Sequence, residues 1–229
     1  MKRRQFLAAC ALPSAAGFGR AITSQVSATE RQPARFVLGC QSGPTNETRL
    51  KFFKRHGVDH ICGWPDNWRD LGHYTKEDLE KLKERCSKNE ISLDMVGAPL
   101  LTSSHIDREK RGAIVLGQSP ERDRDIEDIQ KSIEACAEAE VPAMKYNLSL
   151  LGVLRTESAI GRGGVRLSTW NLSEAKGDPP VTRAGEVTAD IFWERIAYFL
   201  ERVIPVANEY RIRMACHPHD PGVPPEGFQ

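Results

Sequence analysis

From residue 35 onward, short runs rich in strand-forming residues alternate with longer stretches whose apolar positions recur every three or four residues. That alternation is the layout of a parallel-sheet α/β protein, not of a sandwich or a helical bundle. The strand-like runs are 35–40 (RFVLGC), 58–63 (VDHICG), 92–96 (SLDMV), 143–148 (AMKYNL) and 211–216 (RIRMAC). Between the first two, Thr45 or Asn46 is placed to cap a helix carrying Leu50, Phe52 and Phe53, with Gly57 as its stop. Thr75 followed by Asp78 reads as a capping box ahead of Leu79, Leu82 and Cys86. Ile126, Ile129, Ile133 and Ala137 predict a one-sided helix over 123–139. Thr188 opens the longest helix, 189–210, with Ile191, Ile196, Phe199 and Val203 in period and a kink expected at Pro205.

Five strands with crossover helices fit either an open doubly wound sheet or an interrupted barrel. Barrel enzymes keep their chemistry at the C-terminal ends of the strands. Here those ends carry Gln41, the run Trp64-Pro65-Asp66, Asn147, and His217 with Asp220. No G-x-G-x-x-G or G-x-x-x-x-G-K-[ST] follows a strand, which leaves a phosphate-cradling Rossmann or P-loop reading without support. Two long connections lie on the same side, 99–121 and 149–187. Segments of that length are functional lids or disordered insertions, and the Arg162-Gly163-Gly164 run fits either a lid element or a flexible turn.

Charge and cysteine usage narrow the classes further. The 229 residues carry a net charge of +1, but Lys2, Arg3, Arg4 and Arg20 fall in the first 28, which hold no acid; the remainder has 28 bases against 31 acids. Those charges are interspersed and form no basic face, so nucleic acid is not an expected partner. Six cysteines are scattered singly with no C-x-x-C pair, unlike a disulfide scaffold. The opening MKRRQFL, the weakly apolar stretch through Gly19 and the small residues Val26-Ser27-Ala28 have the plan of a cleaved signal peptide. Arg3-Arg4-Gln5-Phe6-Leu7 resembles a twin-arginine signature, which implies export of a folded protein to the periplasm. The expected organisation is therefore a signal over 1–28 and one domain over 29–229 that does not touch the membrane after signal removal.

The segment from Phe199 to Pro221, FLERVIPVANEYRIRMACHPHDP, resembles the mannonate dehydratase family, a branch of the xylose-isomerase-like TIM barrels. Members carry a helix ending in I-P-V-A-E, a strand, and then H-P-D-D-P. Asn147, Arg155 and Thr156 in YNLSLLGVLRT are similar to that family's strand-four segment, Y-N followed by R-T. The resemblance implies a partial (β/α)8 TIM barrel with about five β/α units, ending after strand five and short of the roughly 250 residues of a whole barrel. It also implies a lyase that turns D-mannonate into 2-keto-3-deoxy-D-gluconate and water with Mn2+ or Fe2+. His217 takes the position of a metal ligand, while the family's other ligands, a cysteine, a second histidine and an aspartate, come from later strands. Two departures leave a related sugar or sugar acid open as substrate. His219 replaces the first aspartate of H-P-D-D-P, and Val153-Leu154 replaces an Asp-Trp pair.

Each candidate has a functional and a structural reading. An imidazole at a strand end, stiffened by Pro218, can aim one nitrogen at a divalent ion; otherwise His217 is a surface histidine in a turn. His219 and Asp220 can orient His217 or bind substrate hydroxyls, and Asp220 can equally cap a turn. Arg155 suits a bidentate grip on a carboxylate or a surface pairing. Asn147 can hold a hydroxyl or satisfy backbone groups at a buried strand end. His60 reads as a satisfied core histidine, and Trp64 and Trp68 as a sugar-pocket wall or as packing. The general base is not assigned. A small-molecule sugar acid or sugar is the expected partner, with self-association left open. Two competing functions are a sugar isomerase or epimerase of the same superfamily and an inactive sugar-binding remnant.

Overall fold

A computed structural model describes residues 36–66, 71–175 and 181–221. The expected signal over 1–28, together with Trp68, lies outside the described residues. Four strands come first: β1 (Gly39–Gln41), β2 (His60–Gly63), β3 (Ser92–Gly97) and β4 (Ala143–Tyr146). Two short strands, β5 (Ala159–Ile160) and β6 (Arg166–Leu167), make an antiparallel hairpin. The fifth strand of the main sheet is β7 (Arg213–Cys216). The helices are α1 (Glu47–Arg55), α2 (Lys76–Lys88), the short α3 (Ala113–Leu116), α4 (Glu121–Glu138) and α5 (Ala189–Glu209).

Strand order settles the choice between the two sheet types. The main sheet runs β1-β2-β3-β4-β7, every pair parallel, so each strand is laid beside the one before it. A doubly wound sheet reverses direction at a switch point. Without a reversal, the right-handed twist of successive strands curls the sheet toward a barrel wall.

Local chemistry explains the element ends. The Asn46 side chain accepts from the Arg49 amide at 3.1 Å, and Thr75 and Asp78 form the reciprocal capping box. Left-handed backbone closes the helices: Gly57 after α1 (φ 78°), Glu90 after α2 (φ 55°), Glu140 after α4 (φ 55°) and Arg211 after α5 (φ 57°). This explains why β7 starts at Arg213 and not at 211, since Arg211 is used by the helix exit. Pro205 lies within α5, which continues through it as one element.

The buried stripes on the helices match the expected periods: Leu79, Leu82 and Cys86 on α2, Ile126, Ile129 and Ile133 on α4, and Phe199, Val203 and Ala207 on α5. They pack with Ile61, Val96 and Met144 into one core. Tyr146 faces that layer, its ring 5.6 Å from Phe199. Strand side chains alternate in direction, so Lys145 faces the opposite, barrel-interior side.

The first long connection is ordered and tied down. All four residues of α3 are buried, and Arg111 anchors the connection to α4. Its guanidinium donates to Asp125 Oδ1 at 3.0 and 2.5 Å, to Asp128 Oδ2 at 2.6 Å and to the Leu71 carbonyl at 3.3 Å. Lys131 and His73 also approach Asp128, at 3.1 and 3.3 Å. In the second connection the Arg-Gly-Gly run forms the turn of the exposed β5–β6 hairpin, where Gly163 (φ 71°) and Gly164 (φ 80°) need the freedom only glycine has.

Candidate functional site

The interior face of the sheet carries a graded set of side chains. Toward the strand starts, His60 Nδ1 lies 2.5 Å from Asp94 Oδ2, and Ser92 Oγ donates to the other carboxylate oxygen. His60 has a partner, as expected, but it is half-buried and not a core residue, and that partner is a carboxylate facing the barrel interior. Cys62 comes next, its thiol pushed up to about 11, first by burial and with partial relief from Lys145. A thiol held protonated in this way is a weak nucleophile and a poor cation ligand.

Trp64 closes the layer above. Its indole fills the space left by Gly97, where an added Cβ would stand 2.2 to 2.3 Å from Cε2, Cζ2 and Nε1. The Gly97 carbonyl is fixed from behind by the Tyr74 hydroxyl. Trp64 also joins Gln41, Ser42, Asp66, Thr102 and Ser104 around an open cleft of about 620 Å3 at the C-terminal ends of β1 and β2. An aromatic plane beside hydroxyl and amide groups suits a sugar chain. Asp66 is no free acid here: hydrogen bonding to Arg85 holds its carboxyl below the usual range. Gly97→Ala is expected to displace the indole, costing about 1–3 kcal/mol of stability and shifting the Trp64 fluorescence. An unchanged spectrum and melting temperature would remove Trp64 from this wall.

His217 follows β7 directly, and its amide extends the ladder by donating to the Tyr146 carbonyl at 2.8 Å. The half-buried ring places Nδ1 2.7 Å from the Pro218 carbonyl oxygen. A carbonyl only accepts, so Nδ1 is the donor in this contact, which in a neutral imidazole leaves the lone pair on Nε2. That is the tautomer a divalent cation takes. His219 and Asp220 are exposed beside it, and His219 borders a largely apolar groove of about 370 Å3 with Leu148, Leu151, Leu154 and Phe192. Among the described residues there is no group of three or more His, Cys, Asp or Glu side chains able to hold an ion.

Asn147 and Arg155 are placed elsewhere. Asn147 is buried, and its Oδ1 lacks a hydrogen-bond partner among the described residues. It borders a space of about 10 Å3 shared with Leu101, Ile106 and Val115, beneath the first long connection, which has room for about one water. Arg155 is exposed and donates to Ser168 Oγ at 3.1 Å and to the Leu154 carbonyl at 2.9 Å. Sequence reasoning passed over Lys145, Ser42 and Thr102. Lys145 alone left a readable signal, as a charge between apolar neighbours in AMKYNL.

The sheet, its one-sided helices and the chemistry at the strand ends define a partial parallel (β/α) barrel. A solved mannonate dehydratase from Streptococcus suis serotype 2 superposes with a TM-score of 0.67 at 19% identity, over 83% of this chain and 56% of that one. In sequence the chain is related to the mannonate dehydratases. The D-mannonate dehydratase (UxuA) family model matches residues 180–229. Mannonate dehydratase 2 of Halalkalibacterium halodurans is 26% identical over 204 residues, 78% of this chain and 56% of the relative. The mannonate dehydratase of Shouchella clausii is 60% identical over 35 residues, 15% of this chain and 10% of the relative. The chain spans about half the length of the longer-matching curated relatives.

Proposed function

We propose that this chain takes part in removing water from a sugar acid, D-mannonate giving 2-keto-3-deoxy-D-gluconate. The observation that carries the reading is His217: it lies inside the matched segment, and its ring presents Nε2 from a strand end. In the reaction a proton leaves C2, next to the carboxylate, and the C3 hydroxyl departs as water. The resulting enol becomes the 2-keto group, so atoms balance with no redox partner. Stripping that C2 proton builds charge on the carboxylate, and a Mn2+ or Fe2+ ion would stabilise it. We propose His217 as one donor to that ion. His219 and Asp220, exposed beside it, are proposed substrate contacts. Asn147 and Arg155 enter the proposal on the Y-N and R-T likeness alone.

Incubating the protein with D-mannonate and Mn2+ or Fe2+ tests this. Release of a 2-keto-3-deoxy acid supports it, whereas an isomerised or epimerised sugar, or no turnover at all, overturns it. We also propose twin-arginine export to the periplasm. Changing Arg3→Lys and Arg4→Lys together is expected to leave the protein in the cytoplasm as precursor, and cell fractionation that finds export unchanged would contradict it. Among the described residues no helix is long and apolar enough to cross a membrane.

A further inference from the structure

Lys145 is the charged side chain at the centre of the barrel-interior face, and the mechanism above makes no use of it. Its register neighbours across the sheet are Gly97 on β3 and Ala215 on β7. Ala215 is small, and the space beside Gly97 is taken by the Trp64 indole, so the lysine stem stands between a small residue and that aromatic wall. Its Nζ lies 5.6 Å from the centroid of the Trp64 ring. Among the described residues no hydrogen bond or ion pair engages that ammonium, in contrast to Lys54, Lys83 and Lys131, which each pair with a carboxylate. Asp220 lies close enough to be felt electrostatically without forming an ion pair.

A half-buried cation on an aromatic wall, near the C-terminal end of β4 and with no carboxylate hydrogen-bonded to it among the described residues, is suited to hold an anion. We propose that Lys145 binds the carboxylate of the sugar acid and sets the preference for an acid over a neutral sugar of the same chain length. This rests on the sugar-acid reading above and adds to it the group that selects the charge. Trp64 lies against the carbon chain while Lys145 holds its ionised end. The Cys62 thiol, protonated beneath them, adds no competing charge.

Calorimetric titration of the full chain in Mn2+-containing buffer tests this, with D-mannonate and its neutral counterpart D-mannitol as probes. Lys145→Met and Lys145→Gln are each expected to weaken D-mannonate binding about tenfold or more, as loss of a charge-assisted contact requires. Lys145→Arg is expected to restore most of that affinity, while D-mannitol binding changes little in all three. A merely structural lysine would move both ligands together. Equal D-mannonate affinity in the parent and both uncharged variants overturns the assignment, as does a fall in turnover rate with affinity unchanged. Charge-dependent D-mannonate binding without release of a 2-keto-3-deoxy acid upholds Lys145 and refutes the dehydratase reading. A parent chain that binds no D-mannonate refutes both.

Discussion

Arg111→Ala is expected to lower stability by about 3 kcal/mol, because removing one partner of a buried ion network leaves the other charges uncompensated. For a chain of this size that is a fall of roughly 6–12 °C in melting temperature. Asp125 is essentially inaccessible at 1% side-chain exposure, and Asp128 nearly so at 8%. Arg124 and Lys131 still reach one oxygen of each, which keeps the loss from being larger. The same network predicts acid sensitivity. Burial opposes ionisation of Asp128, yet hydrogen bonds from Arg111 and Lys131 outweigh it and hold the carboxyl below its ordinary range. A depressed folded-state pKa gives stability that is present above the unfolded value of about 3.9 and is lost as pH falls through the folded one. Thermal melts in parent and variant should therefore differ most near neutrality and converge as pH drops below about 4. Parallel pH profiles would show that the guanidinium is not what holds Asp128.

His217→Ala is expected to abolish retention of Mn2+ or Fe2+ and, with it, turnover of D-mannonate, while the melting temperature of the metal-free protein changes by less than about 2 °C. The fold survives because the contact joining His217 to the sheet is its amide, which an alanine keeps. The imidazole itself hydrogen-bonds only to the adjacent Pro218 carbonyl among the described residues. His217→Gln, which keeps bulk but presents an amide, should not restore metal retention. Full metal occupancy in His217→Ala would refute the assignment.

Much of the fold was legible because α1, α2 and α5 carry their own capping side chains, whereas α3 and α4 begin without one. The Thr75–Asp78 box, the Asn46 cap and the Thr188 cap all form where the sequence places them. Strand starts were less legible. The residues after α2, α4 and α5 in left-handed backbone are Glu90, Glu140 and Arg211, none of them the glycine or asparagine that marks such a position in a sequence. Strand order, which decided between sheet types, depends on pairing across distant segments and has no local signature. At the candidate site, His217 was visible through a contiguous motif. The Lys145–Trp64–Gly97 arrangement joins three strands and emerges only when register is known. Asp66 shows the converse: it sits at a strand end as expected of a site residue, but Arg85 of α2 claims it.

In the dehydratase proposal the His217 ring presents Nε2 to a divalent cation at the end of β7. Its most direct test is paramagnetic broadening of the histidine side-chain resonances as Mn2+ is titrated into the protein. The His217 ring signals are expected to broaden first, at substoichiometric metal, ahead of those of His56 and His105. Loss of the His56 or His105 signals while the His217 ring stays sharp would contradict it.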